Sequence, residues 1–251
     1  MSDADFVARP EHFLKYLRTT LGLRASDTRL PWSAVLVFGG QDFRAFRRLL
    51  GAEPVPWSRW VCRGHAGRVP VAVARSFIGA PAAAVTMEEM AVLGTRAFVA
   101  FGACGSLRED LRIGSVVLPT FAHPDEGTSR HYDGLRRPRP DRALHEALGA
   151  ACARRSLAHV TGGVWTTDAP YRESLRRVRS LARQGVVAVD MEASAIYAVA
   201  RVRGLKAASL MVVSDELGGD GWNPGFRHAA YLASKRKALR VVRDVLAGTS
   251  A

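Results

Sequence analysis

The stretch VVAVDMEASAIYAVA, residues 186–200, decides how this chain reads. Val186–Val189 is a β-branched run suited to a buried strand, whereas Ala193, Ile196, Tyr197 and Ala200 recur at helical spacing. A strand is therefore expected to give way to a helix within a few residues, and two carboxylates, Asp190 and Glu192, stand at the junction. Glu192 falls near the first helical turn, where the aligned peptide dipoles favour an anion. A carboxylate there accepts two hydroxyl hydrogen bonds at once. The same residues also read as a capping aspartate and a solvated first-turn acid without chemical role.

Outward from this junction, short apolar runs alternate with helical patterns. Ala34–Phe38, Val69–Ala74, Ala97–Phe101, Ser115–Pro119, Val160–Trp165 and Ala207–Val213 read as further strands. Asp42–Leu50, Pro81–Leu93, Asp141–Ala153, Tyr171–Arg183, Ala193–Arg203 and Gly225–Leu246 read as helices. The alternation predicts an α/β fold, a twisted mixed β-sheet flanked by α-helices. Residues 1–33 form a helical lead-in with Phe13, Leu14, Leu17 and Leu21 on one face, and 34–251 a single main domain, which 251 residues suffice to build. Glycines cluster at strand ends, as at Gly39–Gly40 and Gly102–Gly105, where ligands gather in open α/β sheets.

Composition bounds the function. The N-terminus MSDADFVARPEH has neither a basic nor an apolar leader region, and no uncharged apolar run approaches membrane-spanning length, so a cytoplasmic protein with no membrane partner is expected. Cys62, Cys104 and Cys152 lack metal-ligand spacing, which argues against a zinc site or a disulfide framework. Cys104, in Gly-Ala-Cys-Gly after a strand, reads as a nucleophile or a core thiol, and no neighbouring motif supplies its base. The formal charge of +13 comes mainly from arginines. These alternate with Leu and Val at helical spacing, the pattern of solvated helix faces, so no specific nucleic-acid partner is expected.

The segment V-D-M-E-A-S-A closely resembles the signature of the nucleoside phosphorylase and nucleosidase superfamily. VLVFGGQDFR (35–44), AFVAFGACGSL (97–107), RIGSVVLPTFAHPDEGTSRHY (112–132), TTDAPYRES (166–174) and MVVSDEL (211–217) follow in the family's order. The resemblance implies a nucleoside phosphorylase-like fold and cleavage of an N-glycosidic bond, with phosphate as co-substrate and neither cofactor nor metal. Carried over, Glu192 holds the ribose hydroxyls and Met191 packs on the sugar. Ser214-Asp215 resembles the pair whose Asp protonates a purine leaving group, with Arg227 near an assisting arginine; Asp215 alone also reads as a turn aspartate.

Thr167, Asp168, Tyr171 and Val189 fall to the base pocket, Pro170 standing where the family has a stacking aromatic. DEGTSRHY (125–132) and Trp60–Gly64 resemble a uridine phosphorylase-like subgroup, and His131 or Tyr132 is placed at the sugar. Gly40 and Arg44 match the phosphate loop, with Gln41 in place of its Asp. The second phosphate segment reads Ala100-Phe101-Gly102-Ala103, lacking both its arginine and its hydroxyl; Arg59, Arg63 and Arg75 are the candidates to replace them from another direction. The expectation is phosphorolysis of a purine nucleoside by a homo-oligomer, dimer or hexamer. A hydrolytic nucleosidase and a non-catalytic nucleoside-binding protein are the alternatives.

Overall fold

The computed structural model describes residues 6–132, 134–219 and 221–249; the first five residues of the expected lead-in and the last two of the expected main domain lie outside them. The chain runs α1 (Pro10–Lys15), a π-helical turn (Tyr16–Thr20), α2 (Ala25–Thr28), β1 (Ser33–Val37), α3 (Gly40–Leu50), β2 (Glu53–Val55), β3 (Ser58–Ala66), β4 (Val69–Arg75), α4 (Ala80–Val92) and β5 (Ala97–Ser106). It continues through β6 (Val116–Asp125), α5 (Arg142–Arg154), β7 (Val160–Thr167), α6 (Leu175–Ala182), β8 (Val186–Asp190), α7 (Ala193–Val202), β9 (Lys206–Glu216), β10 (Asn223–Pro224) and α8 (Ala229–Ala247).

The strands form one mixed sheet ordered β10-β9-β6-β7-β8-β5-β1-β4-β3-β2, and β9 also pairs with β5. That extra pairing closes β5, β9, β6, β7 and β8 into a ring, from which β1, β4, β3 and β2 extend. Val37 at the end of β1 stands in parallel register with Arg75 of β4 on one side and Phe101 of β5 on the other.

Alternate strand residues feed two cores, as expected of a sheet covered on both faces. Leu36, Ala72, Ala74, Phe98 and Ala100 join the core under α4 and α7. Val35, Val37, Val73, Val99 and Phe101 join the one under α3, α5 and α8. Helix α7 is buried from Ala193 through Ala200; a helix apolar on every side belongs inside the molecule, and its alanines let α4 and the sheet approach closely.

Three strands depart from the sequence reading. β2, β3 and β10 lie at the two ends of the strand order, and β3 carries the half-buried or exposed Arg59, Arg63 and His65, so its pattern is too polar to announce a core strand. The lead-in is also broken. Leu17 is buried and Phe13 and Leu14 pack on the core, but Leu21 is 47% exposed, because the wider π-helical turn displaces it from the expected face.

Candidate active site

The β8–α7 junction is a buried knot of polar groups. Asp190 Oδ2 accepts from the backbone N–H of Ala193 at 2.7 Å and of Glu192 at 3.2 Å, capping the first turn of α7, while Oδ1 accepts from the Thr166 hydroxyl at 2.7 Å. Thr166 Oγ1 in turn accepts from Ser194 N at 3.0 Å. The capping reading of Asp190 thus holds. A solvated Glu192 does not: its side chain turns inward, the residue is 6% exposed, and Oε1 accepts from Gly79 N at 2.7 Å. Gly79 is the N-cap of α4 with φ of 108°, a conformation that suits glycine. Glu192 therefore sits at the N-termini of two helices, yet burial, followed by the Asp190 charge, holds its carboxyl well above the ordinary range. Burial does the same to Asp190.

Phe38, Gly102, Ala103, Asp190, Glu192 and Met211 line a small cavity at this point. Met191 is half-buried beside it in sequence.

Asp215 ends β9 on the far side of β5. Gly105 pairs with Val189 of β8 and with Asp215 of β9, and an added Cβ there would fall 2.4 Å from Leu217 Cδ1, 3.0 Å from Val189 Cγ1 and 3.1 Å from Asp215 Oδ2. Only the absent side chain lets Val189 and Asp215 close on one spot. Ser214 Oγ–H reaches Asp215 Oδ1 at 2.6 Å and the Cys104 carbonyl at 3.3 Å, and Trp222 Nε1–H donates to Asp215 Oδ2 at 2.9 Å. Ser214 and Trp222 are thus partners of Asp215, and Arg227 is exposed in the turn before α8. Glu173, overlooked in the sequence, is pushed up to about 7 by burial and by the Asp215 charge. Cys104 is a core thiol, driven well above its usual range by burial and then by Asp190 and Asp215.

The base-side segments staple to one another. Asp168 Oδ2 accepts from Gly127 N at 2.9 Å, and the buried Thr167 accepts from Ala169 N at 3.2 Å. Glu126, which the motif reading passed over, accepts from the Ser194 hydroxyl at 2.9 Å and from Ser129 N, tying DEGTSRHY to the start of α7. His131 is exposed on the 3-10 turn Ser129–His131, and Tyr132 is half-buried against the core, its phenol raised to about 12 by burial and by Glu88. Tyr171 is 95% exposed on the 3-10 turn Pro170–Arg172, which Pro170 begins.

Gly40 opens α3, whose first-turn N–H groups face outward without intrahelical partners. An added Cβ on Gly40 would lie 3.5 Å from Arg44 Nη1 and 3.6 Å from Arg75 Cζ. Arg63 is committed elsewhere, donating to Ser26 O at 2.8 Å, and Arg59 lies over Trp60. Next to Gln41, Asp42 is buried and paired with Lys235 of α8 at 2.5 Å. Phe38, which lines the Glu192 cavity, precedes the Gly39–Gly40 pair in the chain.

The family model described as "Phosphorylase superfamily" matches residues 34–247. A guanosine phosphorylase from Halorubrum lacusprofundi is 37% identical over 142 residues, 56% of this chain and 58% of that protein. A DeoD-type purine nucleoside phosphorylase from Brevibacillus brevis is 31% identical over 151 residues, 59% of this chain and 64% of that protein. The chain thus spans about three fifths of the curated relatives it matches. Among solved structures, uridine phosphorylase from Vibrio fischeri superposes with a TM-score of 0.79 at 19% identity, covering 89% of this chain and 95% of that one. Purine nucleoside phosphorylase from Toxoplasma gondii in complex with immucillin-H gives 0.78 at 18%, covering 90% and 93%. Both share this fold.

Proposed function

We propose, from the premise that the chain belongs to the phosphorylase superfamily, that it cleaves the N-glycosidic bond of a purine nucleoside with inorganic phosphate. The observation that carries this reading is the buried Glu192 carboxyl, held between the N-termini of α7 and α4 beside the cavity that Phe38 and Met211 line. Glu192 takes the ribose hydroxyls, Met191 packs on the sugar, and His131 closes its rim. Gly40 and Arg44 hold phosphate below the sugar. Val189, Thr167 and Asp168 shape the base side, where Asp215 stands. As the C1′–N bond breaks, its electron pair moves to the base, which takes a proton from Asp215, while a phosphate oxygen bonds to C1′. Purine is preferred because an acid stands at the leaving group and because the relatives named above act on guanosine and purine nucleosides.

The oxocarbenium character of the transition state is eased by the hydrogen bonds that the ribose hydroxyls give to the buried Glu192 carboxyl. Phosphate is the co-substrate and no cofactor is assigned. A homo-oligomer is proposed because Phe77, Ile78 and Val85, beside the Gly79–Glu192 contact, leave large apolar side chains exposed. Nothing points to nucleic acid or lipid as a partner. No described helix is long and apolar enough to cross a membrane, which supports a cytoplasmic enzyme.

Ala100 and Ala103 at the usual second phosphate segment favour one other reading, hydrolysis by water. Incubation with a nucleoside panel with and without phosphate separates the two. Ribose 1-phosphate, formed at a rate that saturates with phosphate, supports phosphorolysis, whereas free ribose formed indifferently to phosphate establishes the hydrolase.

A further inference from the structure

The family's second phosphate segment falls on β5, where this chain has Ala100 and Ala103. β1 lies between β5 and β4, and its last residue, Val37, is in register with both Phe101 and Arg75. A side chain at the end of β4 can therefore approach the Gly39–Gly40 loop from the flank opposite the one that β5 leaves empty. Arg75 does so, its guanidinium carbon 3.6 Å from where a Gly40 Cβ would stand, beside Arg44 Nη1 at 3.5 Å.

Three features mark this pair as a receptor for an anion. Two guanidinium groups meet over one glycine, and neither forms an ion pair with a carboxylate among the described residues; like charges so placed repel unless an anion lies between them. Arg75 Nε is buried without a hydrogen-bond partner, although such donors are nearly always satisfied. The side chain is also pre-set, its guanidinium 4.7 Å from the Trp60 ring centroid and 5.2 Å from that of Phe77, so little rotamer freedom is lost on binding.

We propose that Arg75 is a phosphate ligand of this protein, delivered from β4 in place of the side chains missing from β5, and that it grips inorganic phosphate together with Arg44 and the Gly40 end of α3. Planar guanidinium forks match phosphate oxygens two at a time, and the N-terminus of α3 adds unpartnered N–H groups. The inference rests on the phosphorolytic reading only in naming phosphate as the anion.

The test is direct titration of the intact protein with inorganic phosphate, by calorimetry and by thermal shift, alongside the phosphate and nucleoside KM values. Arg75→Met keeps an unbranched stem between Trp60 and Phe77 and removes the charge. It should weaken phosphate binding and raise the phosphate KM roughly 10- to 100-fold, the effect of losing a hydrogen-bonded charge, while the nucleoside KM stays within about twofold. Arg75→Lys should fall between the two. Arg48→Ala, which removes an exposed charge from the same helix, should leave phosphate binding unchanged; an equal loss there would reduce the effect to a general positive field and overturn the assignment. So would unaltered phosphate binding in Arg75→Met, or no saturable phosphate binding in the wild type. Phosphate-dependent ribose 1-phosphate formation that Arg75→Met leaves untouched sinks this site and spares the function. Saturable phosphate binding lost in Arg75→Met, in an enzyme that nonetheless releases free ribose, spares the site and sinks phosphorolysis.

Discussion

Glu192→Gln should pull activity and stability in opposite directions. The amide has the same shape and keeps the acceptor for Gly79 N–H at 2.7 Å, so the α4–α7 contact survives. What is lost, on the proposed reading, is the carboxyl oxygen that accepts from the ribose hydroxyls as the oxocarbenium ion develops. Removing one preorganised contact of that kind costs roughly 10²–10³ in turnover.

Stability moves the other way. Burial and Asp190 hold the Glu192 carboxyl above its ordinary value of 4.5, so between that value and the folded one the native state binds more protons than the unfolded chain. Stability contributed at this group therefore falls as pH rises through the window. A buried carboxyl so displaced costs stability once the pH forces it to ionise, and a chain of this size gains about 2–4 °C in Tm per kcal/mol recovered. The ligand-free mutant should thus melt measurably above wild type once the pH exceeds the folded value, and level with it near the ordinary carboxyl value. Thermal melts across that range, run beside steady-state phosphorolysis of guanosine or inosine, check both halves. Near-native turnover would refute the ribose grip. A Tm difference that stays flat with pH would refute the buried-charge account.

Asp215→Asn should slow purine nucleosides about 10²–10⁴-fold and a substrate with an activated leaving group far less; equal losses in kcat/KM on the two would make Asp215 structural. Gly105→Ala places a Cβ 2.4 Å from Leu217 Cδ1 and 3.1 Å from Asp215 Oδ2. It should destabilise by about 1–3 kcal/mol through overpacking and lower kcat with the phosphate KM unchanged; normal denaturation and kinetics together would show that the close approach is unimportant. Thr166→Val deletes the hydroxyl shared by Asp190 and Ser194 and should cost about 1–3 kcal/mol in urea unfolding, the penalty for buried groups left unpaired. An unchanged midpoint would remove Thr166 from the network.

Legibility followed locality. The β8–α7 junction could be read because a change of hydrophobic period and two carboxylates coincide within fifteen consecutive residues, so one stretch carries both the fold and the site. The capping of α7 by Asp190 is equally local. Hidden from the sequence was everything made by pairing across long separations. The contact of Gly105 with Val189 and Asp215 needs three strands in register, and no spacing announces the closing of β5 against β9. β3 was masked by the arginines it carries near the sheet's end. Glu126 and Glu173 looked like ordinary loop acids, and only their neighbours, Ser194 and Asp215, give them consequence.

The segment from Arg75 to Gly79 draws these threads together. Its first residue meets Arg44 over Gly40, its middle residues Phe77 and Ile78 are exposed and apolar, and its last residue donates to Glu192. Four peptide units therefore link the proposed phosphate grip, the proposed subunit contact and the proposed ribose grip. The link is held at both ends, since Arg75 packs against both Trp60 and Phe77 while Gly79 caps α4. An anion that fixes Arg75 would fix the Gly79 N–H as well, and so orient the carboxyl proposed to receive the sugar. Phosphate and nucleoside should on this geometry bind with positive coupling, and linkage requires the same factor in either order of addition. Moving the second arginine from β5 to β4 thus changes more than the direction from which phosphate is held. It places the anion ligand on the same short segment that positions the ribose carboxylate, a connection that an arginine on β5 would not make.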